Sequence, residues 1–153
     1  YGWEDLLTIM HLLRAPEGCP WDREQTHQSI RRNFLEETYE ALDAIDRNDI
    51  PGMCEELGDV LLQVVFHSVM EEEQGRFTAD DVVDGVAQKL VFRHPHVFGA
   101  AEAADSAQAL EGWEAQKKKE KAAERRQAQI ERQLINTGAQ VIKRGILSTL
   151  FGK

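Results

Sequence analysis

The sequence predicts an all-α protein, an antiparallel bundle of four to five helices. Three observations lead to this prediction: apolar residues recur at helical spacing, no segment alternates as a strand does, and short turns separate the segments. Of 153 residues, 42% are hydrophobic and 29% are charged, a balance typical of a folded chain rather than a disordered one. We expect one domain, or one domain with a tail.

Five helical segments are predicted along the chain. The first, at about 3–14, places Leu6, Leu7, Met10 and Leu13 on one face. The two prolines and the glycine of residues 15–20 then predict a loop. The other four segments are predicted at about 26–45, 53–74, 79–92 and 107–133.

Helix breaks and caps support these boundaries. Pro51 and Gly52 lie in the turn after the second segment, and Gly75 ends the third. Thr78 is the expected N-cap of the fourth segment, with Asp81 three residues later, and Ser106 is the expected cap of the fifth.

Charge and cysteine content narrow the possible functions. The formal net charge of -9 disfavours binding to nucleic acid, and an acidic protein that acts on nucleotides needs local cations. Cys19 and Cys54 lack C-x-x-C spacing, which favours unpaired thiols in a reducing cytoplasm. No apolar run approaches the roughly 18 residues of a membrane span, so no membrane partner is expected. The chain begins at Tyr1 rather than Met, as a piece of a longer protein would.

The segment at 53–74 carries a line of polar side chains on an otherwise apolar helix. Glu56, Asp59, Gln63 and His67 follow spacings of 3, 4 and 4, so they share one face. Because the flanking residues are apolar nearly all round, we expect this helix to be buried. For His67, a hydrogen-bonded core histidine is the favoured interpretation.

The segment at 26–45 carries a second polar line. Asn33, Glu37 and Glu40 follow spacings of 4 and 3, and Glu36 lies beside them. A short turn joins the two segments, so we expect them to pack antiparallel with the two lines facing each other.

Facing carboxylates in a partly buried groove repel one another unless cations or protons neutralise them. Oxygen ligands select a hard ion, so the pattern favours Mg²⁺, with Mn²⁺ as an alternative. Two other interpretations remain open. The acids can face solvent and pair with Lys or Arg, or they can form a di-iron site, although Asp59 stands where that design has a histidine.

The acids and their flanks resemble the MazG family of nucleoside triphosphate pyrophosphohydrolases. The family pattern E-E-x-x-E then E-x-x-D appears as residues 36–40 and 56–59. The preceding segment GCPWDREQTH, the following segment KLVFRHPHVFG and a later W-E-x-x-K also match. The resemblance covers about residues 3–121, so we assign residues 1–121 to a MazG-type domain. Residues 122–153 are then a helical tail of unclear role, whose apolar face is interrupted by Gly138 and Gly145.

The resemblance implies an enzyme that cuts a nucleoside triphosphate into monophosphate and pyrophosphate, and that forms a homodimer or a higher homo-oligomer. It implies Mg²⁺ held by four acids, with Glu36 as an accessory acid. It also implies triphosphate contacts from three cations and a base or sugar contact from Trp113. The four acids are Glu37, Glu40, Glu56 and Asp59, and the three cations are Lys89, Arg93 and Lys117.

Base recognition is harder to read from the sequence. Trp21, with Asp22 and Gln25 close by, is a candidate to stack on a base and read its edge, and the alternative is a loop anchor with a helix cap. Related activities on dUTP or phosphoribosyl-ATP remain open, as does a non-catalytic regulatory domain.

Overall fold

The structure is a computed structural model that describes the backbone of residues 1–151 and the side chains of residues 1–137. Within this described backbone all regular structure is helical, which confirms the predicted all-α class. Residues 1–151 contain five long helices and two short ones. The long helices are α1 (Trp3–Arg14), α3 (Arg31–Asp46), α4 (Ile50–Glu72), α5 (Ala79–Arg93) and α7 (Ser106–Phe151), and the short ones are α2 (Pro20–Glu24) and α6 (Pro95–Phe98).

The chain divides into two compact units. The first comprises Tyr1–Val86 and the second begins at Ala87, within α5. The division of function between a domain at 1–121 and a tail at 122–153 stays a prediction. Most of the predicted apolar face of the tail, from Val141 to Phe151, lies outside the described side chains.

The segment before α3 differs from the prediction. Helix was expected from residue 26, but α3 begins at Arg31. Thr26 N donates to Ser29 Oγ at 2.9 Å, and Ser29 N donates to Thr26 Oγ1 at 3.2 Å. These local side-chain bonds satisfy backbone groups outside a helix and delay its start. The expected loop also contains α2, which has Pro20 at its first turn, where a missing N–H costs nothing.

Helix α4 begins three residues before the predicted position 53. Asp49 caps it by accepting a hydrogen bond from Gly52 N at 3.1 Å. Pro51 occupies the first turn, so a residue that was expected to mark the turn belongs to the helix.

The two expected caps have different outcomes. At α5, Thr78 and Asp81 form the predicted capping box, with Asp81 N donating to Thr78 Oγ1 at 3.1 Å and Thr78 N donating to Asp81 Oδ2 at 2.8 Å. At α7 the cap is Asp105 rather than Ser106, because Asp105 Oδ1 accepts from Gln108 N at 2.9 Å. Helix α7 also continues far beyond the predicted end near residue 133.

The core of the first unit lies between α1, α4 and the residue before α3. Its buried members are Met10, Ile30, Val65, Phe66, Val69 and Met70, with Trp3, Leu6, Leu7 and Leu62 packed around them. Three of the four residues predicted for the apolar face of α1, Leu6, Leu7 and Met10, therefore contribute to this core. The burial of α4 was overestimated, because only its C-terminal half is enclosed and Leu57 near its start is 52% exposed.

Helices α3 and α4 pack antiparallel, as predicted. The turn between them is short, and Asn48 in it adopts φ 54°, a left-handed conformation that asparagine tolerates. Phe34 lies beside His67, with ring centroids 5.8 Å apart. One turn later on α3, Glu37 lies beside Asp59, which comes earlier on α4. This pairing brings the two predicted polar lines together.

Candidate active site

Three carboxylates from α3 and α4 converge in the groove between the helices. One oxygen from each of Glu37, Glu56 and Asp59 lies within 4.8 Å of the other two, and all three residues are half-buried. Glu37 comes from α3, while Glu56 and Asp59 are one turn apart on α4. We call these three residues the acid trio.

The electrostatics of the acid trio favour a bound cation. Partial burial is the main cause that raises the pKa of Glu37, and the charges of Asp59 and Glu40 raise it further. The pKa of Glu56 is also raised, first by burial and then by the charge of Glu40. Each carboxylate therefore destabilises its neighbours when it is ionised. An all-oxygen donor set under such repulsion fits a hard divalent ion.

The two remaining predicted acids differ in their surroundings. Glu40 lies outside the acid trio and is exposed, although its charge acts on both Glu37 and Glu56. Glu36 is exposed and accepts a hydrogen bond from Arg32 Nε at 2.7 Å. The roles predicted for Glu40 and Glu36 stay predictions.

The other two residues of the polar line on α4, Gln63 and His67, have different surroundings from the acid trio. Gln63 is 7% exposed, and its Oε1 has no hydrogen-bond partner among the described residues. His67 stacks on His27, and their Nδ1 atoms are 2.6 Å apart. The predicted hydrogen bonding of His67 is confirmed, but the residue is half-buried beside the core rather than a member of it.

The partners of His67 were not singled out from the sequence. His27 Nε2 lies 2.5 Å from Glu71 Oε1, and Glu71 also accepts hydrogen bonds from Arg76. His27 lies 40 residues from His67 in the chain. The only local signal was the i, i+4 spacing of His67 and Glu71 on α4.

The candidates for base recognition lie on and just after α2. Trp21 is 58% exposed, which leaves its ring available for stacking. Gln25 Nε2 donates to Trp21 O at 2.8 Å, and Gln25 Oε1 accepts from Ser29 Oγ at 2.7 Å. Asp22 is half-buried, and its carbonyl accepts from Arg14 Nη1 at 2.6 Å. The Gln25 side chain thus braces this segment, and base contact by Trp21, Asp22 and Gln25 stays a prediction.

The predicted triphosphate contacts lie in the second unit. Lys89 is exposed on α5, four residues before Arg93. Arg93 donates to Glu120 and lies over the ring of Trp113, with its Cζ 5.3 Å from the centroid. Lys117 Nζ lies 4.7 Å from the same centroid. The structure therefore brings Arg93, Trp113 and Lys117 together and adds Glu120, while their binding of a triphosphate stays a prediction.

Comparison with known proteins shows which family model the central part of the chain matches. Residues 25–98, which contain the acid trio, match the MazG nucleotide pyrophosphohydrolase domain. The chain therefore contains a MazG domain. A relative from Thermotoga maritima named nucleoside triphosphate pyrophosphohydrolase/pyrophosphatase MazG is 55% identical over 97 residues, which cover 63% of this chain and 38% of the relative. The Escherichia coli K12 protein named nucleoside triphosphate pyrophosphohydrolase is 52% identical over 118 residues, or 76% of this chain and 45% of that protein.

The fold of the chain is similar to that of a solved structure. The crystal structure of a MazG-related protein from Thermotoga maritima aligns with a TM-score of 0.62 at 23% identity, covering 75% of this chain and 98% of that one. The chain spans less than half the length of the curated relatives it matches. Among the residues that the structure describes, no helix is long and apolar enough to cross a membrane.

Proposed function

We propose that this chain is a metal-dependent pyrophosphohydrolase that cleaves a nucleoside triphosphate, ribo- or deoxyribo-, between the α- and β-phosphates. Water enters the reaction, and the products are a nucleoside monophosphate and pyrophosphate. The observation that carries the proposal is the acid trio, in which three half-buried carboxylates meet at a groove within a MazG domain. The names of relatives about 50% identical support the same activity.

Mg²⁺ is the proposed ion, with Mn²⁺ as an alternative. Glu37, Glu56 and Asp59 would hold it, and Glu40 would complete the proposed ligand set from the next turn of α3. When bound, such an ion neutralises phosphate charge and lowers the pKa of a coordinated water. The raised pKa values of Glu37 and Glu56 support this assignment, because a cation removes the repulsion that raises them.

The other side chains have binding and orienting roles in this proposal. Glu36, near the acid trio on α3, would orient water or a further ion. Lys89, Arg93 and Lys117 would bind the polyphosphate, because phosphoryl transfer depends mainly on positioning and on stabilisation of negative charge. Trp21, Asp22, Gln25 and Trp113 would contact the base or sugar.

The partners proposed for this activity are a nucleotide and a second copy of the chain in a homodimer or higher homo-oligomer. Leu35, Tyr39 and Leu42 are 57%, 64% and 50% exposed and follow spacings of 4 and 3, so they form an apolar stripe on α3. A two-fold partner would cover such a stripe. Cys19 and Cys54 are both free thiols, which supports a cytoplasmic location.

Product analysis tests the proposed cleavage. The chain is incubated with a panel of ribo- and deoxyribonucleoside triphosphates, dUTP and phosphoribosyl-ATP, with Mg²⁺ or with EDTA, and the products are separated by anion-exchange chromatography. We expect monophosphate and pyrophosphate, formed only with the metal. Diphosphate and orthophosphate as the main products would contradict α–β cleavage. Nucleotide binding without any product would favour a non-catalytic module.

A further inference from the structure

Arg93 is held by a partly buried carboxylate that has no assigned role. Its Nε and Nη2 both donate to Glu120 Oε2, at 2.9 and 2.5 Å. The two side chains are only 17% and 21% exposed, so solvent screens this pair less than it screens a surface ion pair. Because both donors reach one oxygen on one edge of the guanidinium, the Nη1 edge takes no part in this pair.

The ring of Trp113, which we call the Trp113 platform, contacts two cations. Arg93 Cζ is 5.3 Å from its ring centroid and Lys117 Nζ is 4.7 Å away, both within the range of a cation–π interaction. Trp113, Lys117 and Glu120 follow spacings of 4 and 3 along α7, so they share one face of that helix. The ring and the Glu120 carboxylate both stabilise the positive charge of Arg93.

A pocket of about 310 Å³ shares two residues, Trp113 and Lys117, with this cluster. The pocket is lined by Trp113, Glu114, Lys117, Lys118 and Lys121. Three of these five side chains are lysines, so the chemistry of the pocket suits a polyanion.

We propose that Glu120 is a positioning residue that fixes the guanidinium of Arg93 on the Trp113 platform, with its outer edge ready for a phosphate oxygen. Preorganised donors stabilise an oxyanion without the cost of reorganisation on binding. Glu120 itself does not touch the ligand, and Trp113 orients the cations in addition to its proposed contact with the base or sugar. The identity of the ligand as the triphosphate of the substrate rests on the proposed function, whereas the positioning role does not.

Binding of inorganic tripolyphosphate tests the positioning role without catalysis. Calorimetry is carried out on the whole chain in EDTA, so that no metal at the acid trio contributes. We expect Arg93→Ala to weaken binding by roughly 100-fold or more, and Glu120→Ala by about 10- to 100-fold, as for a partner that orients a ligand-binding group. Glu120→Gln keeps an acceptor oxygen for Arg93 and should recover much of the loss. Glu124→Ala, one turn further on α7, is the matched control and should bind as the wild type does.

A double variant separates positioning from general stabilisation. If Glu120 acts through Arg93, Glu120→Ala should cost little more in an Arg93→Ala background, because coupled residues are not additive. Unchanged or tighter tripolyphosphate binding by Glu120→Ala overturns the proposal, and so does an additive loss in the double variant. If the same binding series holds but no triphosphate is hydrolysed, the proposed function fails while the positioning role stands.

Discussion

The imidazole rings of His27 and His67 stack 4.9 Å apart at an interplanar angle of 7°, with their Nδ1 atoms separated by 2.6 Å. A hydrogen bond at this distance needs a proton on one of the two Nδ1 atoms and a lone pair on the other. Protonation of both Nδ1 atoms at once is therefore disfavoured. Glu71 accepts from the far side of His27, and the hydrogen bond from Arg76 lowers its pKa, so it is anionic at neutral pH. This chain of contacts ties the segment before α3 to α4.

The histidine pair predicts that stability falls with acid. Burial first, and the charge of His27 second, lower the pKa of His67 below its usual 6.5. Between the lowered value and 6.5 the unfolded chain binds more protons than the folded chain, so folding stability rises with pH there. We expect the stability difference between wild type and His67→Gln, measured by urea denaturation from pH 5.5 to 8, to shrink as the pH falls. His27→Gln should keep part of the slope, because burial is the larger cause. Identical slopes in wild type and His67→Gln would contradict the assignment.

The acid trio predicts stabilisation by metal. At ten times the dissociation constant, a ligand of the native state adds about 1.4 kcal/mol, so Mg²⁺ or Mn²⁺ should raise Tm by roughly 3–6 °C. Because the pKa of Glu37 is raised in the folded chain, folding stability is lost as the pH rises through that pKa. Glu37→Gln should therefore raise the Tm of the metal-free chain at pH 7.5, and it should reduce the increase in Tm that metal causes. Glu17→Gln, at an exposed acid in the loop after α1 that does not act on Glu37 or Glu56, is the control and should do neither. An unchanged Tm with both ions would count against a preformed site.

Loss of one ligand should stop turnover and leave the fold intact. Removing a residue that only orients a metal ligand lowers metal affinity or activity by about 10- to 100-fold. Asp59 is a proposed ligand itself, so Asp59→Asn should lower kcat/KM by more than that. The substitution removes a charge from a repelling cluster, so Tm of the metal-free chain should not fall. Glu55→Gln changes an acid on the same helix outside the acid trio and should remain active. An active Asp59→Asn chain would exclude Asp59 from the ligands.

Gly18 allows the chain to turn back after α1. Its N–H donates to Ala15 O at 2.8 Å, and an added Cβ would overlap the carbonyl oxygens of Leu12 and Leu13. Because these are backbone atoms, they cannot move aside cheaply. We expect Gly18→Ala to destabilise the fold by about 1–3 kcal/mol, as overpacking does. At Gly85 on α5, an added Cβ meets no atom within 4 Å, so Gly85→Ala should be neutral or stabilising. Thermal denaturation of both variants measures these two effects.

The exposed stripe on α3 predicts self-association. Leu35→Arg places a charge on that stripe and should convert a dimer into a species near the 17.4 kDa of one chain, as measured by light scattering. Leu12→Arg on α1 alters a side chain of similar exposure, 64%, outside the stripe and should leave the assembly unchanged. A wild-type chain that is monomeric and active at nanomolar concentration would rule out an obligate dimer.

Local sequence determined the helical class and the identity of the acids. Spacing alone placed Glu56 with Asp59 on one face of α4 and Glu37 on the facing helix, because helical periodicity fixes which side chains share a face. The capping box of Thr78 and Asp81 was predictable for the same reason, since its hydrogen bonds join residues three apart.

Tertiary structure decided the contacts between residues distant in sequence. His27 meets His67 across 40 residues, and Arg93 meets Glu120 across 27. No periodicity encodes such a pair, because packing between helices determines which side chains approach one another. Packing likewise enclosed the C-terminal half of α4 but left Leu57 and Leu61 exposed, because burial depends on which neighbouring elements are present to cover a helix.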